Sequence, residues 1–151
     1  MLSEKEIIKF LVENEKQFSL GIGYPGAEDT DKEFFNKVGK YLGAKTLDEV
    51  YDIEEKVINV VENLLERNCK LIKCLEGRNP DYREGIYLYQ CTYPDIGKFY
   101  VVVFEEQDNV SGKAHVSYEF HKDYNKARKS YLLDYANVND EIRKLSEVYE
   151  L

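Results

Sequence analysis

Six consecutive apolar residues, Phe99 to Phe104, stand between Lys98 and Glu105 and constrain this chain more than any other feature. In a strand, Phe99, Val101 and Val103 point to one face while Tyr100, Val102 and Phe104 point to the other, so both faces need cover. Such a strand belongs in the middle of a sheet. The segments on either side of it, Gly85 to Thr92 and Lys113 to Phe120, are set off by turn-type residues at Tyr93 to Gly97 and Gln107 to Gly112. The spacing predicts an antiparallel meander. In its third strand Ala114, Val116, Tyr118 and Phe120 line one face, and Lys113, His115, Ser117, Glu119 and His121 line the other, which predicts a wet face there. Lys70 to Glu76 adds a shorter strand, closed by the turn Gly77 to Asp81.

Helices precede the meander. Ser3 and Glu6 fit a capping box, and Ile7, Ile8 and Leu11 follow at helical spacing, predicting a helix from about Glu4 to about Lys16. Ser19 to Thr30, with Gly21, Gly23, Pro25 and Gly26, reads as a loop. Thr30 or Asp31 then caps a second helix carrying Phe34, Phe35, Val38, Tyr41 and Leu42, and Gly43 ends it. Thr46 to Glu49 is a second capping box. It starts one long helix, or a short one handing over near Asp52, with Val50, Ile53, Val57, Val60, Val61, Leu64 and Leu65 as the core stripe. Residues 124–135 fit both periods and are read as a helical turn followed by a short strand, with Asn139 capping a last helix through Ile142, Leu145, Val148 and Tyr149. The expected fold is α+β: N-terminal helices packed on an antiparallel sheet of four or five strands, with a C-terminal helix, in a single domain over residues 1–151.

Charge narrows the partners. The chain carries a net charge of −8, and residues 1–68 hold 15 acidic against nine basic residues. A field of that sign repels nucleic acid and anionic membranes and attracts a basic protein. There is no apolar signal core after Met1 and no run of 18 apolar residues, so a cytoplasmic location is expected. Cys69, Cys74 and Cys91 are an odd count and are expected as free thiols.

No motif names a reaction, and neither a catalytic residue nor a cofactor is expected. Gly21, Gly23 and Gly26 match Gly-x-Gly-x-x-Gly but follow a helix and precede acids, the wrong setting for a phosphate. His115, Glu119 and His121 share one strand face and form the alternative site, for a metal, a small ligand or acid–base chemistry, although His115 lies about 13 Å from Glu119 along the strand. Lys122, Lys126, Arg128 and Lys129 read as a solvated face. The acids are the principal candidates: Asp48, Glu49, Asp52, Glu54 and Glu55 crowd one helix start around Tyr51, and Glu28, Asp29, Asp31 and Glu33 precede the helix before it. Asp48, Glu49, Tyr51, Asp52 and Glu55 are taken as the site, with Glu28, Asp29 and Asp31 in support. Helix starts favour acids for capping and dipole reasons too. As a surface, however, they would mimic a phosphate run and dock into a basic cleft. In its profile of size, charge and missing catalytic signature, the chain resembles the immunity proteins of bacterial toxin and contact-inhibition systems. That resemblance implies a stoichiometric inhibitor, monomeric or dimeric, of a basic toxin domain such as a nuclease. A structural or regulatory dimerisation module is the third reading.

Overall fold

The meander forms as its alternation requires, with β3 (Tyr82–Tyr93), β4 (Gly97–Asp108) and β5 (Lys113–His121) paired antiparallel and in continuous register. The computed structural model describes residues 2–22 and 27–151. Among these residues the fold is α+β, with four α-helices and one six-stranded sheet of order β1-β5-β4-β3-β2-β6, every pair antiparallel. β4 is interior to the sheet and covered on both sides. Phe99, Val101 and Val103 enter a large core with α1 (Glu4–Glu13), α2 (Ala27–Lys37) and α3 (Val50–Asn68), while Tyr100 and Val102 enter a smaller one with α4 (Tyr124–Arg143).

The sheet has six strands rather than four or five because a strand is added at each edge. β1 (Gln17–Ile22) occupies the first part of the stretch read as a loop. Phe18 and Leu20 are buried on one side, and the Ser19 hydroxyl lies 2.8 Å from that of Ser117 on β5. Pairing to β5 outweighs the weak strand preference of Gly21. Residues 23–26, which hold the other two glycines of the Gly-x-Gly-x-x-Gly match, lie outside the described residues. β6 (Glu147–Glu150) pairs with β2 (Cys69–Arg78), where a helix through Val148 and Tyr149 was expected.

The Ser3–Glu6 capping box forms. α2, by contrast, begins at Ala27, so Asp31 is a helical residue facing inward at 8% exposure rather than a cap on the surface. Gly43 ends the following 3₁₀ turn, Gly39–Leu42, at φ 111°, a conformation that favours glycine. At Thr46 no side-chain cap forms. The Glu49 carboxylate accepts from the Lys45 amide instead, and a 3₁₀ turn, Leu47–Glu49, hands over to α3. The core stripe of α3 is as expected, with Val50, Val57, Val60, Val61 and Leu64 buried.

α4 is one unbroken helix through the ambiguous 124–135 segment. Ala127, Tyr131 and Ile142 are buried on the sheet while Leu133 is 63% exposed, so packing selects the 3.6-residue period over alternation. Asn139 sits inside the helix and accepts from Arg143 Nε. Since α4 covers this face, the far end of β5 is not wet: His121 is buried and Glu119 half-buried. The cysteines also depart from expectation. Cys69 and Cys91 are register partners on β2 and β3 and form a disulfide, leaving buried Cys74 as the free thiol, opposite Tyr87 rather than Cys91. An odd count therefore carried no argument for a reducing compartment. No described helix is long and apolar enough to cross a membrane.

Candidate functional site

On α3, the stripe beside the core stripe runs Tyr51, Glu54, Glu55, Ile58, Asn59, Glu62, Leu65 and Glu66, all at helical spacing. These residues overhang the sheet and form one wall of a groove about 22 Å long at the helical rise. Two adjoining depressions make it up. The first, of about 380 Å³, has Leu20 of β1 and Ala114, Val116 and Tyr118 of β5 as its apolar floor, with Arg83, Glu105 and Glu106 along its far side. The second, of about 420 Å³, continues past Glu62, Glu105 and Tyr118 to Tyr87, Tyr89, Glu76 and Glu66. Because the open ends of β3 and β4 carry Arg83, Glu105 and Glu106 just past their apolar runs, the strands deliver charge where the core stops.

The groove is strongly acidic. Among the described residues its lining holds seven glutamates and one basic residue, Arg83. Two of the acids are partly neutralised from within. Arg83 Nη2 lies 3.2 Å from Glu105 Oε1, which is also 3.1 Å from the Tyr87 hydroxyl, and that hydroxyl lies 2.6 Å from Glu76 Oε2. Tyr87 is held well above the usual tyrosine range by burial and by these carboxylates, so it remains a neutral donor. Glu54 is different. Its Oε1 is buried with no hydrogen-bond partner among the described residues, and burial together with neighbouring Asp31 pushes its carboxyl up to about 8. Glu55, Glu62 and Glu66 are exposed and enter no salt bridge among the described residues.

Of the acids and aromatic singled out from sequence, the groove gathers two, Tyr51 at its mouth (63% exposed) and Glu55 on its wall. Asp48 and Glu49 are exposed on the turn before α3 and line neither depression. Asp52 faces a separate hollow, beside Lys56 and Leu2. Asp29 is exposed on α2, the Glu28 side chain lies outside the described residues, and Asp31 is buried beside Glu54, out of a partner's reach. Sequence reasoning placed Glu54 in the acidic crowd without choosing it for the site, and missed Glu62, Glu105 and Arg83. The signal that points to them is the i, i+3, i+4 recurrence of Tyr51, Glu54, Glu55, Ile58 and Glu62, a half-polar stripe adjoining the core stripe.

The alternative constellation on β5 is split. His115 lines the groove, whereas Glu119 and His121 lie near the start of α4. There His121 Nδ1 is 3.9 Å from Glu15 Oε2, its Nε2 is 4.0 Å from Glu119 Oε2, and Ser130 donates to Glu119. Burial would raise the Glu119 carboxyl, but the His121 and Ser130 contacts outweigh it and hold the group low, a poor general base. The described residues contain no cluster of three or more side chains able to hold a metal ion. Lys122, Lys126, Arg128 and Lys129 are exposed, and Lys126 lies 3.8 Å from Glu15. Compared with known proteins, the chain matches no family model, no curated protein and no solved structure.

Proposed function

We propose that the protein is a non-catalytic binding module that receives a cationic segment of another protein in the groove beneath α3. The observation that carries this reading is the lining of the groove, seven glutamates against one arginine over an apolar floor. An arginine or lysine side chain matches both features, its stem lying on Leu20, Val116 and Tyr118 and its head reaching the carboxylates. Tyrosines add rigid contact area with a polar tip. A groove of about 22 Å accommodates roughly six extended residues. The net charge of −8 accelerates encounter with a basic partner.

Within that class, the size and charge profile favours an immunity protein that neutralises a basic toxin domain by occupying its active site or substrate path. Tyr51 and Glu55 then contact the partner directly, and Asp48, Glu49, Asp52 and Asp29 form an outer field that steers it. The test needs a basic toxin domain, sought first in the genes beside this one. Charge reversal in the groove (Glu55→Lys with Glu62→Lys and Glu66→Lys) is expected to abolish binding and protection from the toxin. Reversal outside it (Asp48→Lys with Asp52→Lys) slows association only a few-fold. Binding that survives the groove variant unchanged overturns the proposal.

A further inference from the structure

We propose that Glu54 is the acceptor for one cationic head of the partner, and that the arriving head expels the proton Glu54 shares with Asp31. The inference rests on the cationic-partner reading of the groove. It adds which carboxylate takes the charge and what leaves when it does.

The geometry sets up an exchange. Asp31 comes from the neighbouring helix α2 at 8% exposure, beside Glu54. Adjacent carboxyls in a partly dry wall do not both ionise without a cation, so a shared proton is the resting arrangement. It leaves Glu54 Oε1 buried and unsatisfied, the state that buried acceptors avoid. Among the described residues, the lining of the groove supplies no unengaged cation to this pair. On α3 the neighbours are Tyr51 and Glu55, with Glu62 two turns on. β1 contributes uncharged Leu20 and Gly21, β5 brings His115 and Tyr118, and β4 brings Glu105 and Glu106. Arg83 of β3, the basic residue of the lining, is engaged by Glu105. Glu105 already faces a guanidinium and a hydroxyl, and Glu55, Glu62 and Glu66 are exposed to water, so the groove acceptor that is both shielded from water and unfilled is Glu54. A guanidinium entering over Val116 and Ile58 replaces the proton, which passes to solvent, and Glu54 binds it as a carboxylate. The raised Glu54 value, about 8, keeps the proton in place at neutral pH until then.

The test is calorimetric titration of the full chain with blocked hexa-arginine at low salt and about pH 6.5, in two buffers of different ionisation enthalpy. Arginine does not titrate there, so any proton released comes from the protein. Wild type is expected to release about one proton per peptide bound, and its affinity to rise with pH by at most about tenfold per unit until about pH 8. Glu54→Gln should bind roughly tenfold more weakly and release none, the loss expected for a charged hydrogen bond. Asp31→Asn keeps the acceptor and the burial that chiefly raises Glu54, so it should bind at least as well as wild type while releasing less proton than wild type. Glu66→Gln, which removes one groove charge away from the pair, should release a full proton. Peptide binding without proton release in wild type overturns this inference and leaves the groove reading standing. If hexa-arginine does not bind, or binding ignores Glu55→Lys with Glu62→Lys, both fall together.

Discussion

On the α3 side of the sheet the Tyr87 hydroxyl lies between Glu76 and Glu105; on the α4 side the Tyr82 hydroxyl lies between Glu84 and Glu106, at 2.9 and 3.1 Å. Both tyrosines are held above their ordinary range, with burial as the leading cause. Yet the whole of the first trio lines an open groove, whereas in the second only Glu106 borders it, and Glu84 is 2% exposed with no partner for Oε2 among the described residues. What differs is the cover. α4 approaches so closely that a Cβ on Gly77 of β2 would meet the Ile142 carbonyl at 2.6 Å, while α3 stands off the sheet beyond its core stripe. Identical chemistry is thus structural where a helix seals it and available where a helix overhangs it.

Glycine substitution on each side is the harshest way to break this contrast. Gly77→Val drives a side chain into the α4 backbone and is expected to cost about 3–4 kcal/mol in chemical denaturation. Gly85→Ala meets the ring end of Tyr87, which can swing aside at the loss of its hydroxyl contacts, for about 1 kcal/mol. Equal costs would show that the two faces are packed alike. Next in size is the Cys69–Cys91 disulfide, with a sequence separation of 22. Replacing both cysteines by serine should lower stability by about 3 kcal/mol and leave hexa-arginine affinity unchanged, since the bridge fastens β2 to β3 away from the groove lining.

Two glutamates with raised values, buried Glu84 and half-buried Glu54, sharpen the contrast through pH. Glu84 is raised chiefly by burial, with Glu141 and Glu106 adding to it against the Tyr82 contact. The folded state therefore holds the Glu84 proton more tightly than the unfolded chain. Its contribution is fully present below the ordinary glutamate range and is lost as pH rises through the folded value. Glu84→Gln cannot ionise, so stability curves should show it gaining on wild type as pH rises, by about 1–3 kcal/mol once Glu84 is charged. Glu54→Gln should gain in the same direction, between the ordinary range and about pH 8, and unlike Glu84→Gln it should also weaken peptide binding. A matching loss of binding in Glu84→Gln would erase the distinction between sealed and available carboxyls. The smallest effect is expected from Arg83→Gln. Freeing Glu105 of its guanidinium should tighten hexa-arginine binding a few-fold in the same calorimetric titration, with stability changed by less than about 1 kcal/mol.

The meander was legible because its signals are local. The unbroken apolar run Phe99 to Phe104, the alternation from Lys113 to Phe120 and the turn residues between the strands carry the α+β architecture, and the α3 core stripe is equally plain. The edge strands were not. Gln17–Ile22 and Glu147–Glu150 are short, and each is held by pairing to a strand far away in sequence, information that no local window contains. The same reason explains α4, where burial of Tyr131 against the sheet settles a choice that Tyr131, Leu133 and Tyr135 leave open. For the site, acidity in the helical half was readable, but its organisation was not. The sequence places Asp31 beside Asp29 and Glu28, whereas the fold turns Asp31 inward onto Glu54 and recruits Glu105 from the sheet. A cluster along the chain pointed to the right helix and Tyr51 and Glu55 within it. The groove is made by a second strip of that helix meeting strand residues spread from Leu20 to Tyr118.

The most direct measurement is a backbone amide chemical-shift titration of the full chain with blocked hexa-arginine at low salt. Saturable shifts are expected along Tyr51 to Glu66, at Arg83, at Glu105 to Gln107 and from Ala114 to Tyr118, with α4 and β6 undisturbed. Shifts concentrated on Asp48, Glu49 and Asp29, or spread evenly over every acidic surface, would contradict the assignment of the groove as the cation-binding site.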